Sequence, residues 1–446
     1  MASDLLSIGL SGAKAARIGL DVTAQNISNA ATDGYVRRTI GLTEVASTGY
    51  NQSVRDVSLS GVRVEKVVRN ADAFRQSEVR RTGSDSARAD TEVRGLGYIE
   101  SALEQSGVYP AITGFESALH KLKEDPVDTS LRASVIEAAR TMTATFQIAS
   151  KEMDAVGKGL QFEASSGVTQ INRIAGELAR TNLRLARAAD ASSDQTALLD
   201  QRDKLLADLS QYGDIGTTLA QDGSVTVTLG STAPATTLVN GGSTATLAMT
   251  TAADGTVDYT LGGNALALSG GSLAGQQLAL GKLAQLQDDL DGLAGTIVTT
   301  VNTAQGGGTD RDGAAGTALL SGNTAATIAL ATSDPAKIAT APSGAPKNSR
   351  DAGNLEALRS ALSTADPAGK MDAILFDISA SVSGRTVTRD ALATISDAAR
   401  TALAAQTGVN LDAEGVNLVR YQQAFQASGR VMQVAASIFD SLLQIR

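Results

Sequence analysis

The chain has no cysteine, which removes disulfides and thiolate metal sites and leaves the redox compartment unreadable. A single histidine, His120, leaves imidazole catalysis and histidine-bound zinc almost no material, and it reads as an ordinary helix residue. There is no tryptophan, and aromatic residues make up 3% of the chain. A globular enzyme with a thick core carries more large side chains than this. Abundant Ala, Gly, Ser and Thr suit helices laid side by side. Seven prolines in 446 residues argue against Pro-rich disorder. No run of about eighteen apolar residues occurs, so no membrane-spanning helix and no membrane partner is expected.

Charge bias is also missing. The net charge is −9, from 38 basic and 47 acidic residues. The stretch 31–100 looks arginine-rich, yet its basic and acidic residues nearly cancel, so no phosphate-binding face and no nucleic acid partner is expected. The opening "MASDLLSIGLSGAKAARIGL" places Asp4 before any Lys or Arg, so it lacks the basic head of a cleavable secretory signal.

Motifs for chemistry fail one by one. "GQQLALGK" at 275–282 has the wrong spacing for a phosphate loop and is followed by Leu283. "GTDRDG" at 308–313 offers Asp310 and Asp312 but not the other ligands of a calcium loop, so a Gly-rich turn explains it better. Asp288 and Asp289 sit among Lys and Gln, as a solvated helix face would. No catalytic residue, cofactor site or metal site is expected, and the chain reads as a non-enzyme.

What is present is long-range helical order. After a cap at Ser3 or Asp4, Leu6, Ala13, Leu20 and Ile27 recur every seven residues, with Gly9, Ala16 and Thr23 between them. This predicts a helix with one narrow, small-residue seam. It should stop near Asn29, with Gly34 free to take positive φ. Partial alternation over 36–46 and 54–68 predicts a long hairpin. Helix returns over about 70–105; after the "DP" at 125–126 Asp128 can cap a very long helix to about 189, and a shorter one covers 194–210. Between Gly223 and Gly281 the only charges are Asp254 and Asp258, and short β-branched runs between turn residues predict strands. Further helices are expected at 276–303, 371–384 and 388–406.

The last segment is the most regular. Leu411, Glu414, Leu418, Tyr421, Phe425, Ser428, Met432, Ala435, Phe439 and Leu442 alternate spacings of three and four. A second stripe follows Val431, Val434, Ile438 and Ile445, so this helix has more apolar surface than one partner can cover. The expected fold is mainly α, elongated and multi-domain. It comprises a terminal coiled coil (1–35 with 409–446), a long-helix bundle with a β-hairpin (36–210, 273–304 and 371–408), and an inserted outer β-rich domain with linkers (211–272 and about 305–370).

The stretch "VTAQNISNAATDGYVRR" ends the first helix in amides, then a Thr-x-Gly-Tyr turn, then arginine. Its Asn26, Asn29, Thr32, Gly34, Tyr35 and Arg37 resemble the N-terminal signature of the bacterial flagellar axial family of rod, hook and hook-associated proteins. The C-terminal "NLVRYQQAFQAS" and the interior "LLDQRDKLLADLS" and "LDGLAGTIVTTVN" resemble the hook-associated members.

The resemblance implies a structural role joining hook to filament. Both chain ends would line a hollow tube, assembling as a ring through Leu6, Ala13, Leu20, Ile27, Leu418, Tyr421, Phe425, Met432, Phe439 and Leu442. It further implies unfolded type III export to the outside of the cell. The implied partners are other copies, the hook protein, a second hook-filament junction protein, and an export chaperone at the last helix. The alternatives are another axial protein, a cell-wall hydrolase on an axial scaffold, or an unrelated coiled-coil scaffold. At the exit motif, the amides are expected to bond helix-end carbonyls, with the Tyr35 hydroxyl in water.

Overall fold

The computed structural model describes all residues but 1, 33, 49–56, 189–192, 231–235 and 445–446. Helix α1 (Ala2–Ser28) leads into a hairpin of β1 (Arg38–Thr48) and β2 (Val57–Arg69). Helices α2 (Ala73–Gln105), α3 (Val108–Leu122), α4 (Thr129–Leu185) and α5 (Ser193–Ser210) follow. Two small antiparallel sheets come next. One holds β3 (Ile215–Leu219), β4 (Val225–Leu229), β5 (Thr237–Asn240) and β6 (Ser243–Thr244); the other holds β7 (Leu247–Thr251), β8 (Val257–Leu261) and β9 (Asn264–Leu266). After α6 (Gly271–Gly306) the chain runs through short irregular pairings to α7 (Gly353–Ala365), α8 (Pro367–Thr407) and α9 (Leu411–Gln444).

The class is the expected one, mainly helical with inserted antiparallel strands. Three details differ from expectation. The two helices predicted over 371–406 are one continuous α8; Gly384 within it costs only about 1 kcal/mol, too little to break a packed helix. Helix α3 occupies a stretch for which no element was expected, set off from α2 by Gly107 at φ +74°. Strands predicted as part of one domain fall into two compact units, with 1–84, 171–246 and 393–446 in the first and 85–170 and 247–392 in the second.

In the second unit three aromatics serve as core, while Tyr98, Tyr109, Phe162 and Phe376 are exposed. Phe115, Phe146 and Tyr259 are buried with Ile99, Leu119, Ile136 and Met142. Small residues let helices approach there. A Cβ on Gly95 would lie 2.6 Å from Ala279 Cβ, and one on Gly275 would lie 2.4 Å from the Arg88 carbonyl oxygen. Real Cβ atoms cannot come so near, so these helices meet backbone to backbone, which accounts for the Ala/Gly-rich composition.

A recurring device docks strands onto helices. Asn182 of α4 accepts from Val225 N–H at 2.9 Å and donates to Val225 C=O at 2.8 Å. Asn302 of α6 likewise accepts from Leu320 N–H at 3.1 Å and donates to its C=O at 2.8 Å. Each amide imitates a neighbouring strand, meeting both polar groups of one backbone residue. The same device recurs in α1.

Candidate functional site

Helices α1 and α9 run antiparallel, because Gly9 lies against Met432, Gly12 against Ser428 and Gly19 against Tyr421. A Cβ at Gly9 would stand 2.7 Å from Met432 Cγ, one at Gly12 2.7 Å from Ser428 Oγ, and one at Gly19 2.7 Å from the Tyr421 ring. Three glycine sockets therefore receive side chains of α9, closely at Gly9 and Gly19 and against the movable Ser428 hydroxyl at Gly12. Gly9 and Gly19 are buried with Ala13, Ala16 and Thr23. Elsewhere on α1, Ser11 Oγ donates to Ile8 C=O at 2.8 Å and accepts from Val62 N–H of β2 at 3.2 Å. Gly61, at φ +99°, lets β2 come that close.

Of the predicted assembly residues, Ala13 is buried, and Leu20, Tyr421 and Met432 are half-buried. Leu6, Ile27, Leu418, Phe425 and Phe439 are exposed, Phe439 by 56%. The side chain of Leu442 lies outside the described residues. The seam of α1 is thus carried by its small intermediate positions, and its larger residues point away. Gly12 and Gly19 were not anticipated, because a glycine gives no hydrophobic signal. The second stripe of α9 is open as well: Val431, Val434 and Ile438 are exposed, with Val416 at 70% and Val419 at 50% beyond them. Leu5, Leu10 and Ile18 of α1 add to this uncovered apolar surface. So many large apolar side chains left exposed on two paired helices mark a candidate interaction site.

At the end of α1, Asn29 Nδ2 donates to Gln25 C=O at 2.9 Å, as expected for an amide at a helix terminus. Asn26 does something else. Its Nδ2 donates to Arg38 C=O at 2.8 Å and to Glu414 Oε2 at 3.2 Å, while its Oδ1 accepts from Arg38 N–H at 3.0 Å and Tyr35 O–H at 2.9 Å. All four of its hydrogen-bonding positions are used. The Tyr35 hydroxyl is therefore not left to water. Burial, against the pull of Arg38, pushes its pKa up, and Asp200 and Glu414 push it further.

Arg37 is the hub of this exit. Its N–H donates to Thr407 C=O at 2.9 Å, its C=O accepts from Asn70 N–H at 2.9 Å, and its Nε donates to Glu414 Oε1 at 2.7 Å. The start of the hairpin, its end, the last turn of α8 and the first turn of α9 are fastened at one residue. Thr32 supports the turn: its N–H reaches Asn29 C=O at 2.9 Å and its C=O accepts from Tyr35 N–H at 3.2 Å. Gly34 holds φ +77°. Its missing Cβ would have room, with Lys204 Cβ 3.6 Å away, so its requirement is conformational. Gly34→Val should cost roughly 1–2 kcal/mol locally and misdirect the exit. Thermal unfolding of the free chain should shift little while incorporation into the assembled structure falls. Normal incorporation by the variant would refute this.

Beneath the exit lies a buried charge network on α5. Arg38 meets Asp200 at 2.9 Å, and Arg69 meets Asp200 at 2.6 Å and Asp203 at 2.9 Å. Arg202 pairs with Asp203 at 2.6 Å. The Arg38 guanidinium also lies over the Tyr35 ring, 5.0 Å from its centre, a cation–π contact. The sequence singled out "LLDQRDKLLADLS" only as a family-like stretch. Two of its aspartates, Asp200 and Asp203, hold the base of the hairpin onto α5.

Among the described residues, no group of three or more His, Asp or Glu side chains is placed to hold a metal ion, and no helix is long and apolar enough to cross a membrane. His120 is exposed on α3. What the site offers is shape and uncovered apolar surface.

Comparison with known proteins places these features. The family described as "Flagellar hook-associated protein FlgK helical domain" matches residues 96–320, half of the chain. The family "Flagellar basal body rod FlgEFG protein C-terminal" matches 404–445, and "Flagella basal body rod protein" matches 6–35. These two matches fall on α9 and on α1 with its exit. Flagellar hook-associated protein 1 of Bacillus subtilis is 27% identical over 211 residues, 45% of this chain and 41% of that protein. Its counterpart in Salmonella typhimurium is 26% identical over 232 residues, 51% of this chain and 41% of that protein. The matches thus span about two fifths of those relatives' length. The solved structure of the flagellar hook junction protein FlgK from Burkholderia pseudomallei aligns with a TM-score of 0.49 at 23% identity, covering 55% of this chain and 46% of that one.

Proposed function

The chain belongs to the FlgK family of flagellar hook-associated proteins, and from that premise we propose that it is a structural subunit joining hook to filament. Copies assemble as a ring through α1 and α9, outside the cell, after export. The observation that carries this reading is the apolar surface left open on the paired terminal helices, from Val416 to Phe439 on α9 and from Leu5 to Ile18 on α1. Fully burying a large apolar side chain gives about 1.5–3 kcal/mol. Several such residues left in water by one copy are a strong reason to associate with neighbours.

The same reading supplies the partners. Neighbouring copies, the hook protein and a second junction protein cover the open stripes in the assembled flagellum. Before assembly, an export chaperone takes α9 by helix-in-groove recognition. The role is that of a building part, not of an enzyme.

Deleting the gene should leave cells with intact hooks, no filaments and filament protein shed into the medium, and the intact gene should restore filaments. Electron microscopy of the deletion strain reads this directly. Missing hooks would point to a hook protein instead, and normal filaments would remove the chain from the flagellar axis.

A further inference from the structure

A helix pair joined by a seven-residue repeat has a built-in ambiguity, since sliding one helix by a heptad, about 10.5 Å, restores the same kind of seam. The α9 seam is open to this. Displacing α1 by one heptad towards the C-terminus of α9 would bring Ser428 to Gly19 and Ala435 to Gly12, in place of Tyr421 and Ser428. At Gly12 and Gly19 the incoming residues are smaller than those they replace, so those two sockets do not exclude the slip. Only at Gly9, where Phe439 would replace Met432, does a larger side chain arrive. Chain connectivity does not exclude it either, because the exit segment 29–37 can span up to ~30 Å when extended. Something else must choose.

We propose that the buried cluster of Asn26, Arg37 and Glu414 is the register lock of the terminal helix pair. Asn26 and Glu414 are each 1% exposed. Asn26 Nδ2 reaches Glu414 Oε2 at 3.2 Å, and Arg37 Nε reaches Glu414 Oε1 at 2.7 Å. In the slipped register Asn26 faces Tyr421, and Glu414 loses Asn26 on the seam. A single polar position in an apolar seam sets register because its alternatives strand a buried polar group. Glu414 is therefore a positioning residue. It fixes how the two termini are aligned, so that the copies of a ring present one common surface.

The absence of cysteine makes the register directly readable. A Cβ at Gly12 would lie 3.6 Å from Ser428 Cβ, within the range a disulfide spans. The pair Gly12→Cys/Ser428→Cys therefore reports the native register, and Gly12→Cys/Ala435→Cys reports the slipped one. In the otherwise unchanged chain the first pair should oxidise and the second should not. Adding Asn26→Leu with Glu414→Leu should raise the slipped-to-native yield by at least about ten-fold, equivalent to ~1.4 kcal/mol, with helicity by circular dichroism unchanged. Glu414→Gln keeps the side-chain volume and an acceptor for Asn26 and removes only the ion pair, so it should move the ratio the same way by less.

An unchanged ratio in both variants would overturn the proposal, leaving the glycine sockets and the Ser11–Val62 contact sufficient. Loss of both disulfides in the double variant would also overturn it, because the cluster would then supply stability and not choice. The inference rests on the assembly reading only for its consequence. The crosslinks are scored on the isolated chain, so their failure and the failure of the junction reading are separate results.

Discussion

Replacing Arg132 with methionine should destabilise the unit formed by 85–170 and 247–392 by about 3–5 kcal/mol, the summed cost of leaving several buried backbone carbonyls without a donor. Arg132 is 0% exposed, near the start of α4. Its Nε donates to Pro126 C=O at 2.5 Å, and its two terminal nitrogens reach Pro335 C=O at 3.2 Å, Ile338 C=O at 2.8 Å and Thr340 Oγ1 at 2.8 Å. None of these partners is a carboxylate. Burial, together with the nearby Arg311 and against Asp310 and Asp312, pulls the Arg132 pKa down to about 10. Only a guanidinium offers five donors in a fixed fork, so no other side chain can meet these carbonyls together. Methionine fills much of the stem volume, and the loss then reports stranded carbonyls, each worth about 1–3 kcal/mol, rather than a cavity. Arg132→Lys should recover part of the loss through one point donor. Denaturant unfolding of the full chain checks this. A methionine variant within about 1 kcal/mol of the parent would mean that water satisfies the carbonyls and that Arg132 is no pin.

Arg132 also shows why the stretch 305–370 was hard to read in advance. Its order comes from single polar side chains on distant helices. Arg132 holds 335–340, Gln305 Oε1 accepts from Ala339 N–H at 2.8 Å, and Asn354 Nδ2 donates to Ala339 C=O at 2.7 Å. Such bonds leave no periodic trace in a sequence. The long helices were legible because large residues mark them at regular intervals, while of the large α9 residues Tyr421 and Met432 meet α1 and Leu418, Phe425 and Phe439 are exposed. The α1 seam was only half legible. Leu6, Leu20 and Ile27 drew attention by size, whereas the close contacts fall on Gly9, Gly12 and Gly19, whose meaning depends on Met432, Ser428 and Tyr421 opposite. At the exit the motif residues were visible as a group. That Asn26 meets Glu414, 388 residues away, was not, because nothing local connects them.

The buried charges under the exit carry the second large expectation. Asp203→Ala should cost about 3–5 kcal/mol at neutral pH in the unit formed by 1–84, 171–246 and 393–446. Asp203 accepts from Arg69 of β2 and Arg202 of α5, and Gln76 of α2 donates to it at 2.9 Å. Without it, Arg202 keeps only the Gly223 carbonyl, at 2.6 Å, among these bonds. Arg80, whose pKa burial already lowers more than Asp203 restores, loses that counter-charge too. Burial alone would raise the Asp203 pKa, yet Arg202 and Arg69 outweigh it and hold the carboxyl below its usual range. The sign follows. A carboxyl with a depressed folded pKa contributes its full stability above its unfolded pKa of about 3.9 and loses it as pH falls through the folded value. The stability gap between parent and Asp203→Ala should therefore be flat from about pH 7 to pH 5 and close below about pH 4. Asp203→Asn, which keeps the shape and removes the charge, should show the same closing gap. Denaturant midpoints taken across that range decide it. A gap that persists unchanged into acid would assign the loss to packing, and the aspartate would then fasten the hairpin by its shape and not by its charge.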